Sequence, residues 1–376
     1  MGTSSDGTVE FGWFGDLVRV RSDDGAAIAL LRRLWGNSPG PASPGAVREF
    51  RVFLRAGGPP SIRGPRGTRA LDARFALWQV HDYVLQELAG AMGDRFLLHA
   101  ASLEKGGRAV AIAGPSGFGK TTLSLHLAFR GATILSDDLT ALTRGAAEIE
   151  ALPRAVHVRG GSRATLTPSQ VERLLLGAVH RDEDGWTVAA RDLRGDAAGP
   201  IPLAAMVLLR SGRGREAGPG SRCFDLWLAS GHDPDLVTEL GSLPGVSEIG
   251  PSPFGEGAWR VRTGAAGPLA TWIRERDPAI IAAVESDLDR PDFEASPSLR
   301  RIGPFETAVE LCRGLLNRRP GSELDREFRG REGFLVAEVA ASLRGVALAQ
   351  MTPGRIEETV ALLDRLVETG DVSGEA

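Results

Sequence analysis

Residues Gly114, Pro115, Ser116, Gly117, Phe118, Gly119, Lys120 and Thr121 follow the pattern Gly-x-x-x-x-Gly-Lys-(Ser/Thr). In that spacing successive backbone N–H groups wrap a polyphosphate, the lysine reaches its outer phosphates, and the Thr121 hydroxyl meets Mg²⁺. Thr122 belongs to the same first helical turn. The lysine is the informative member. Lys105 and Lys120 are the only lysines in a chain with 44 basic residues, so wherever a generic cation suffices the chain carries Arg. A compact ammonium and a planar guanidinium differ as phosphate ligands, which gives a physical reason for Lys at this position. Downstream, Asp137 and Asp138 stand side by side. Next to Mg·ATP two such carboxylates hold the metal and accept a proton from an attacking hydroxyl. Elsewhere an Asp-Asp pair is the material of turns and helix caps.

The elements around these residues decide between those readings. "RAVAIA", Arg108 to Ala113, is a short apolar run that fits a buried strand, and "TTLSLHLAFRG" reads as a helix closed by Gly131. "TILS", Thr133 to Ser136, gives a second strand that delivers the acidic pair. A strand, a helix and a parallel strand make a right-handed crossover whose strands finish on one sheet edge, where α/β proteins bind ligands. The acidic pair is therefore expected beside the loop. Before this core, Val9 to Trp35 alternates and then turns helical, "REFRVFLRA" reads as a strand, and Asp72 to Met92 recurs at helical spacing. After it, "ALPRAVHVRGGS" reads as a strand ending in a glycine turn. "TPSQVERLLLG" carries a capping box of Thr167 and Gln170, with Pro168 in the first helical position. "LAAMVLLR" and "CFDLWLA" read as further strands. Ser286 to Ser298 looks like a linker, and everything beyond it reads as helical, including "FLVAEVAASLRGVALAQ" as one helix.

Composition excludes several classes. A net charge of −4 recommends neither a nucleic-acid nor an anionic-membrane partner. Cys223 and Cys312 are too few and too separate for a disulfide framework or a zinc site, which suits a reducing cytoplasm. No apolar stretch reaches membrane length, and the first residues carry neither a basic nor an apolar export region.

"LLHAASLEKGGRAVAIAGPSGFGKTTLSLHLAFRGATILSDDLTAL", together with "LPRAVHVR", resembles the HPr kinase/phosphorylase family, and within it the HPr-kinase-related branch that includes kinases of peptide natural-product maturation, such as lasso peptides. The shared features are Leu98-His99 one strand ahead of the loop, the loop itself and the small-Asp-Asp after the next strand. The resemblance covers Phe96 to about Arg159. The residue patterns outside these motifs give a small α/β segment at 1–92, a linker at 286–300 and a helical extension at 301–376; the resemblance implies an α/β fold with an HPr-kinase-type P-loop nucleotide-binding core at 93–285. It further implies that the backbone from Gly114 to Gly119 holds the β-phosphate, Lys120 neutralises the β- and γ-phosphates, and Thr121 binds Mg²⁺. Asp137 would take the proton, Asp138 would support the metal, His99 would lie close to the reacting groups, and Arg159 would brace the phosphoryl group, with Arg154 a weaker candidate. Read as residues alone, His99 also fits a sheet-bonded histidine, and the two arginines also fit a surface. The Glu-containing glycine loop and the Pro-Gly-Arg-Asn element of the HPr enzymes are absent, which points away from HPr as substrate and from the reverse reaction.

The function implied is a cytoplasmic ATP- and Mg²⁺-dependent kinase acting on a hydroxyl, foremost Ser or Thr of a peptide or small protein. A small hydroxylated metabolite is the alternative acceptor. An ATP-binding regulatory or scaffold protein with slow or no turnover is the alternative from another class. The carboxyl-terminal helices would either recognise the acceptor or form a homo-oligomer interface.

Overall fold

The computed structural model describes residues 7–35, 45–54, 59–65, 67–71, 76–152, 155–181, 185–188, 193, 199–211, 222–228, 234–251, 258–276, 280–286, 291–318 and 322–370. Arg154 lies outside the described residues, as do 287–290 of the expected linker. The chain is a mixed α/β protein with several sheets.

It begins with β1 (Gly7–Trp13), β2 (Asp16–Ser22), α1 (Gly25–Trp35), β3 (Val47–Phe53), β4 (Ser61–Gly64), β5 (Gly67–Ala70) and α2 (Ala76–Gly90). Phe14 and Gly15, both at positive φ (45° and 90°), close the first hairpin, as a two-residue turn with the native twist requires. The five strands lie in sequence order, and α1 carries the chain from β2 to the parallel β3. One face of this sheet is apolar. Val9, Phe11, Val18, Val20, Phe50 and Val52 meet Ile28, Leu31 and Leu34 of α1 and Val84 and Leu88 of α2. The same cluster runs on into Leu97, Leu139 and Leu152, and the Trp13 indole donates to Met92 Sδ at 3.2 Å, so the amino-terminal unit is packed onto the central part of the chain.

The next stretch holds β6 (Arg95–Leu98), β7 (Ala100–Lys105), β8 (Arg108–Ala113), α3 (Lys120–Phe129), β9 (Thr133–Ser136), β10 (Thr140–Thr143), β11 (Glu148–Glu150), β12 (Val156–Arg159), α4 (Gly160–Ala164), α5 (Pro168–Gly177), β13 (Ala178–Arg181), β14 (Gly185–Val188) and β15 (Ile201–Leu209). The Thr167–Gln170 capping box forms as its spacing predicts, with Pro168 opening α5. The expected glycine turn after β12 is instead the short helix α4. Then come β16 (Arg222–Leu228), α6 (Pro234–Gly241), β17 (Val246–Pro251), β18 (Ala258–Thr263), α7 (Ala266–Glu275) and β19 (Ile280–Ser286). These strands form a separate four-stranded sheet with its own core of Leu226, Leu240, Val261, Leu269 and Trp272.

The last part holds β20 (Ser298–Arg301), α8 (Pro304–Arg313), α9 (Glu323–Phe328), α10 (Glu332–Ser342), β21 (Ala347–Thr352) and α11 (Ile356–Thr369). It is not wholly helical. "FLVAEVAASLRGVALAQ" splits at Gly345, whose φ of 79° ends the helical path, and its second half is a strand. A strand buried on both faces reads as a continuous apolar run, which periodicity alone does not separate from a buried helix.

The large sheet has the order β6-β10-β11-β15-β8-β7-β9, with β21 beside β15 and β20 beside β21. β8, β15 and β21 are mutually parallel. β7 is antiparallel to both β8 and β9, so β8 and β9 point the same way and end on the same edge, with β7 between them. Alternation along β8 sorts its side chains. Val110 and Ile112 pack with Leu123 and Leu127 of α3 and Val360 and Leu363 of α11, whereas Ala109 and Ala111 face Leu311, Leu335 and Val339 of α8 and α10. Each fully buried aliphatic side chain contributes roughly 1.5–3 kcal/mol by leaving water. The buried layers above and below the sheet are thus what fix its edge.

Candidate functional site

The loop from Gly114 to Gly119 joins the end of β8 to the start of α3. Its glycines are required by space and by backbone conformation. A Cβ on Gly114 would stand 2.8 Å from Leu209 Cβ, and Gly117 and Gly119 hold φ values of 81° and 92°. Residues other than Gly rarely adopt such values. Phe118 is buried in the core shared by α3 and α11 and pins the loop from beneath. α3 opens on Gly119 with no side-chain cap, which leaves its first N–H groups without a capping side chain.

Lys120 is 6 % exposed, and its ammonium donates to Gly114 O at 2.8 Å and Pro115 O at 3.1 Å. Burial pushes its pKa below the ordinary lysine value. The charges of Asp138 and Asp137 act in the opposite direction, and that of Arg159 adds to the lowering. Lys120, both carboxylates and Arg159 therefore share one electrostatic neighbourhood.

The acidic pair sits in a turn between β9 and β10 that Ser136 closes. Its hydroxyl donates to Leu139 O and accepts from Leu139 N at 3.3 Å. The two carboxylates differ sharply. Asp137 is 4 % exposed and accepts from the His157 backbone N–H at 3.4 Å. The Asp138 side chain is 47 % exposed and lies 2.8 Å from His99 Nε2. His99 reaches it because Leu98 pairs with Thr140, which sets the β6–β7 junction across from the acidic turn, and Thr140 Oγ1 fixes that junction by donating to Ala100 O at 2.8 Å.

β12 and the helix that follows it reach the site. The His157 amide meets Asp137, Arg159 acts on Lys120, and Ser162 of α4 meets Thr122 of α3, Oγ to Oγ1, at 2.8 Å. The Thr122 hydroxyl is thereby engaged within the protein. Behind it, Thr165 Oγ1 donates to Ser162 O at 2.9 Å and lies 3.0 Å from His126 Nε2, so α4 is fastened along the length of α3.

Gly114 to Thr122, with Lys120 among them, and Asp137, Asp138 and His99 stand at this sheet edge, and Arg159, at the end of β12 in the three-stranded sheet, is linked to them through its charge on Lys120. Ser136, the His157 amide and Ser162 are parts of the site that sequence reasoning missed. The small residue before the acidic pair was the one available signal for Ser136; nothing local announces the other two. Among the described residues no group of three or more His, Cys, Asp and Glu stands ready to hold a metal. No protein-family model matches the chain, and no curated protein matches it either.

The charges of the arrangement define its chemistry. It offers uncapped helix N–H groups and one ammonium to an anion, a buried carboxylate, and a second, accessible carboxylate held by an imidazole. Among the described residues no helix is long and apolar enough to cross a membrane.

Proposed function

We propose that the chain is an ATP-dependent kinase that transfers the γ-phosphoryl group to a hydroxyl, foremost a Ser or Thr of a peptide or small protein, as an HPr-kinase-like P-loop enzyme would. The observation that carries this reading is that the loop after β8 and the acidic pair after β9 end on one sheet edge, with Lys120 buried in the loop, Asp137 met by the His157 amide and Asp138 met by His99. A structural glycine turn needs neither the buried lysine nor the acidic pair.

The residues fit Mg·ATP. The loop N–H groups and Lys120 suit the β- and γ-phosphates, and the Thr121 hydroxyl and Asp137 would hold Mg²⁺ together with phosphate oxygens and water, as this ion prefers to a cage of side chains. Bound Mg²⁺ supplies charge neutralisation at the β- and γ-phosphate oxygens. The acceptor oxygen forms its bond to the γ-phosphorus as the bond from that phosphorus to the β,γ-bridging oxygen breaks, ADP keeps the electron pair, and the acceptor proton passes to a carboxylate. Exposure favours Asp138 for that proton. It is open to an incoming hydroxyl, and His99 orients it, whereas Asp137 is buried against β12. This reverses the division of labour that the family resemblance implies. Arg159, whose charge acts on Lys120, would stabilise the charge of the transferring group.

The test is transfer from γ-labelled ATP with Mg²⁺ to peptide pools, hydroxylated metabolites or water. Lys120→Ala is expected to abolish turnover. Asp138→Asn should lower the transfer rate by about 10²–10⁴-fold with nucleotide affinity retained, the usual contribution of a general base, while Asp137→Asn should raise the Mg²⁺ requirement. Full transfer by Asp138→Asn would return the base to Asp137. Nucleotide bound and never consumed by the wild type would overturn the kinase reading.

A further inference from the structure

The stretch expected to be a linker is, over Pro291 to Pro297, a fixed strap. The Arg355 N–H donates to Ala295 O at 2.8 Å, and the Arg355 guanidinium donates to Ser296 Oγ at 2.8 Å. Beneath the strap lies Gly354. A Cβ there would collide with the carbonyl of Ala295 and stand 2.6 Å from Pro297 N, so the strap is seated directly on the backbone that follows β21. Within the strap the Glu294 N–H donates to Asp292 Oδ1 at 3.1 Å and the Ala295 N–H to Asp292 O at 3.2 Å, which turns the chain around position 293. The residue presented by that turn is Phe293, 40 % exposed, whose Cε1 lies 3.7 Å from where a Cβ on Gly119 would be. A large apolar ring is thus held partly in water against the last glycine of the loop.

Sheet order shows what the ring could meet. The acidic pair follows β9, on one side of β8, while β15, β21 and β20 lie on the other side, and β20 begins opposite the end of β21, at the same edge as the loop. A nucleotide whose outer phosphates point toward Lys120 and the acidic pair must direct its base away from β9. That is the side from which the strap brings Phe293. We infer that Phe293 is the stacking face for the base of the bound nucleotide, a base-binding residue supplied by the segment between β19 and β20. The inference rests on the nucleotide-binding reading of the loop. Stacking accepts any π-face, so the ring gives affinity for a base and little choice among bases.

The experiment is calorimetric binding of Mg·ATP and of Mg·tripolyphosphate, which has the phosphates and no base, to the wild type, Phe293→Ala and Phe293→Trp. Phe293→Ala is expected to weaken ATP binding about tenfold, to leave tripolyphosphate binding within about twofold, and to be rescued for ATP by Phe293→Trp. Equal losses for both ligands would mean that the ring only supports the loop, and unchanged or tighter ATP binding would mean that it only covers the site; either result overturns the inference while leaving the loop a phosphate site. A wild type that binds neither ligand would overturn the nucleotide reading and this inference with it.

Discussion

Lys120 is costly where it stands. Burial lowers its pKa against the pull of Asp138 and Asp137, so the protonated form is disfavoured in the folded chain relative to an exposed lysine near 10.5. Between the lowered value and 10.5 the unfolded chain binds more protons than the folded one, so stability rises with pH across that window and is lowest below it, where both states are protonated. Lys120→Met is therefore expected to be more stable than the wild type at pH 8, by about 1–3 kcal/mol, and to lose this rise between about pH 8 and pH 10. Urea unfolding at the two pH values measures both effects; a less stable variant would mean that the hydrogen bonds to Gly114 O and Pro115 O outweigh the burial of the charge.

At the level of elements, the loop is shaped by a neighbour distant in sequence. Gly114 is excluded from bearing a side chain by Leu209 at the end of β15, so Gly114→Ala must push β8 and β15 apart where they are paired. The expected loss is about 1–3 kcal/mol, the usual cost of overpacking, with nucleotide binding impaired even where the fold persists. Denaturant midpoints and ATP titration on the same sample separate the two. The contrast with Gly131, whose added Cβ would meet nothing within 4 Å, marks the difference between a glycine needed for space and one needed for its φ of 95°. The same contrast between local and distant causes explains how much of the site is legible in the sequence. Lys120, the acidic pair and the strand Thr133–Ser136 are legible because motif, helix and strand are contiguous and each has a local signal. The approach of β12 to Asp137 and of α4 to Thr122 depends on how a separate three-stranded sheet lies against α3, and no local pattern encodes that. β21 is hidden by its own burial, and Phe293 by a Pro- and Asp-bearing context that looks like a connector.

In the whole molecule, the edge that carries the site is assembled from far-separated parts of the chain. β8, β9 and β15 come from the middle, while β21 comes from beyond residue 346 and is held between β15 and β20. α11 then returns across the sheet to pack on α3 and is fastened at its far end by Lys105, whose ammonium meets Asp364 at 2.8 Å and Glu368 at 3.0 Å. Both of the chain's lysines are thus committed, one to the loop and one to this clasp. The scarcity of Lys turns the molecule into its own two-channel chemical reporter. Acylation mapped by mass spectrometry has only two side-chain amines to find, and each speaks for a different event: Lys120 for occupancy of the loop, Lys105 for detachment of α11. Mg·ATP is expected to slow modification of Lys120 and leave Lys105 unchanged, whereas equal slowing at both would mean that a ligand at one end of α3 tightens the helix packed along it.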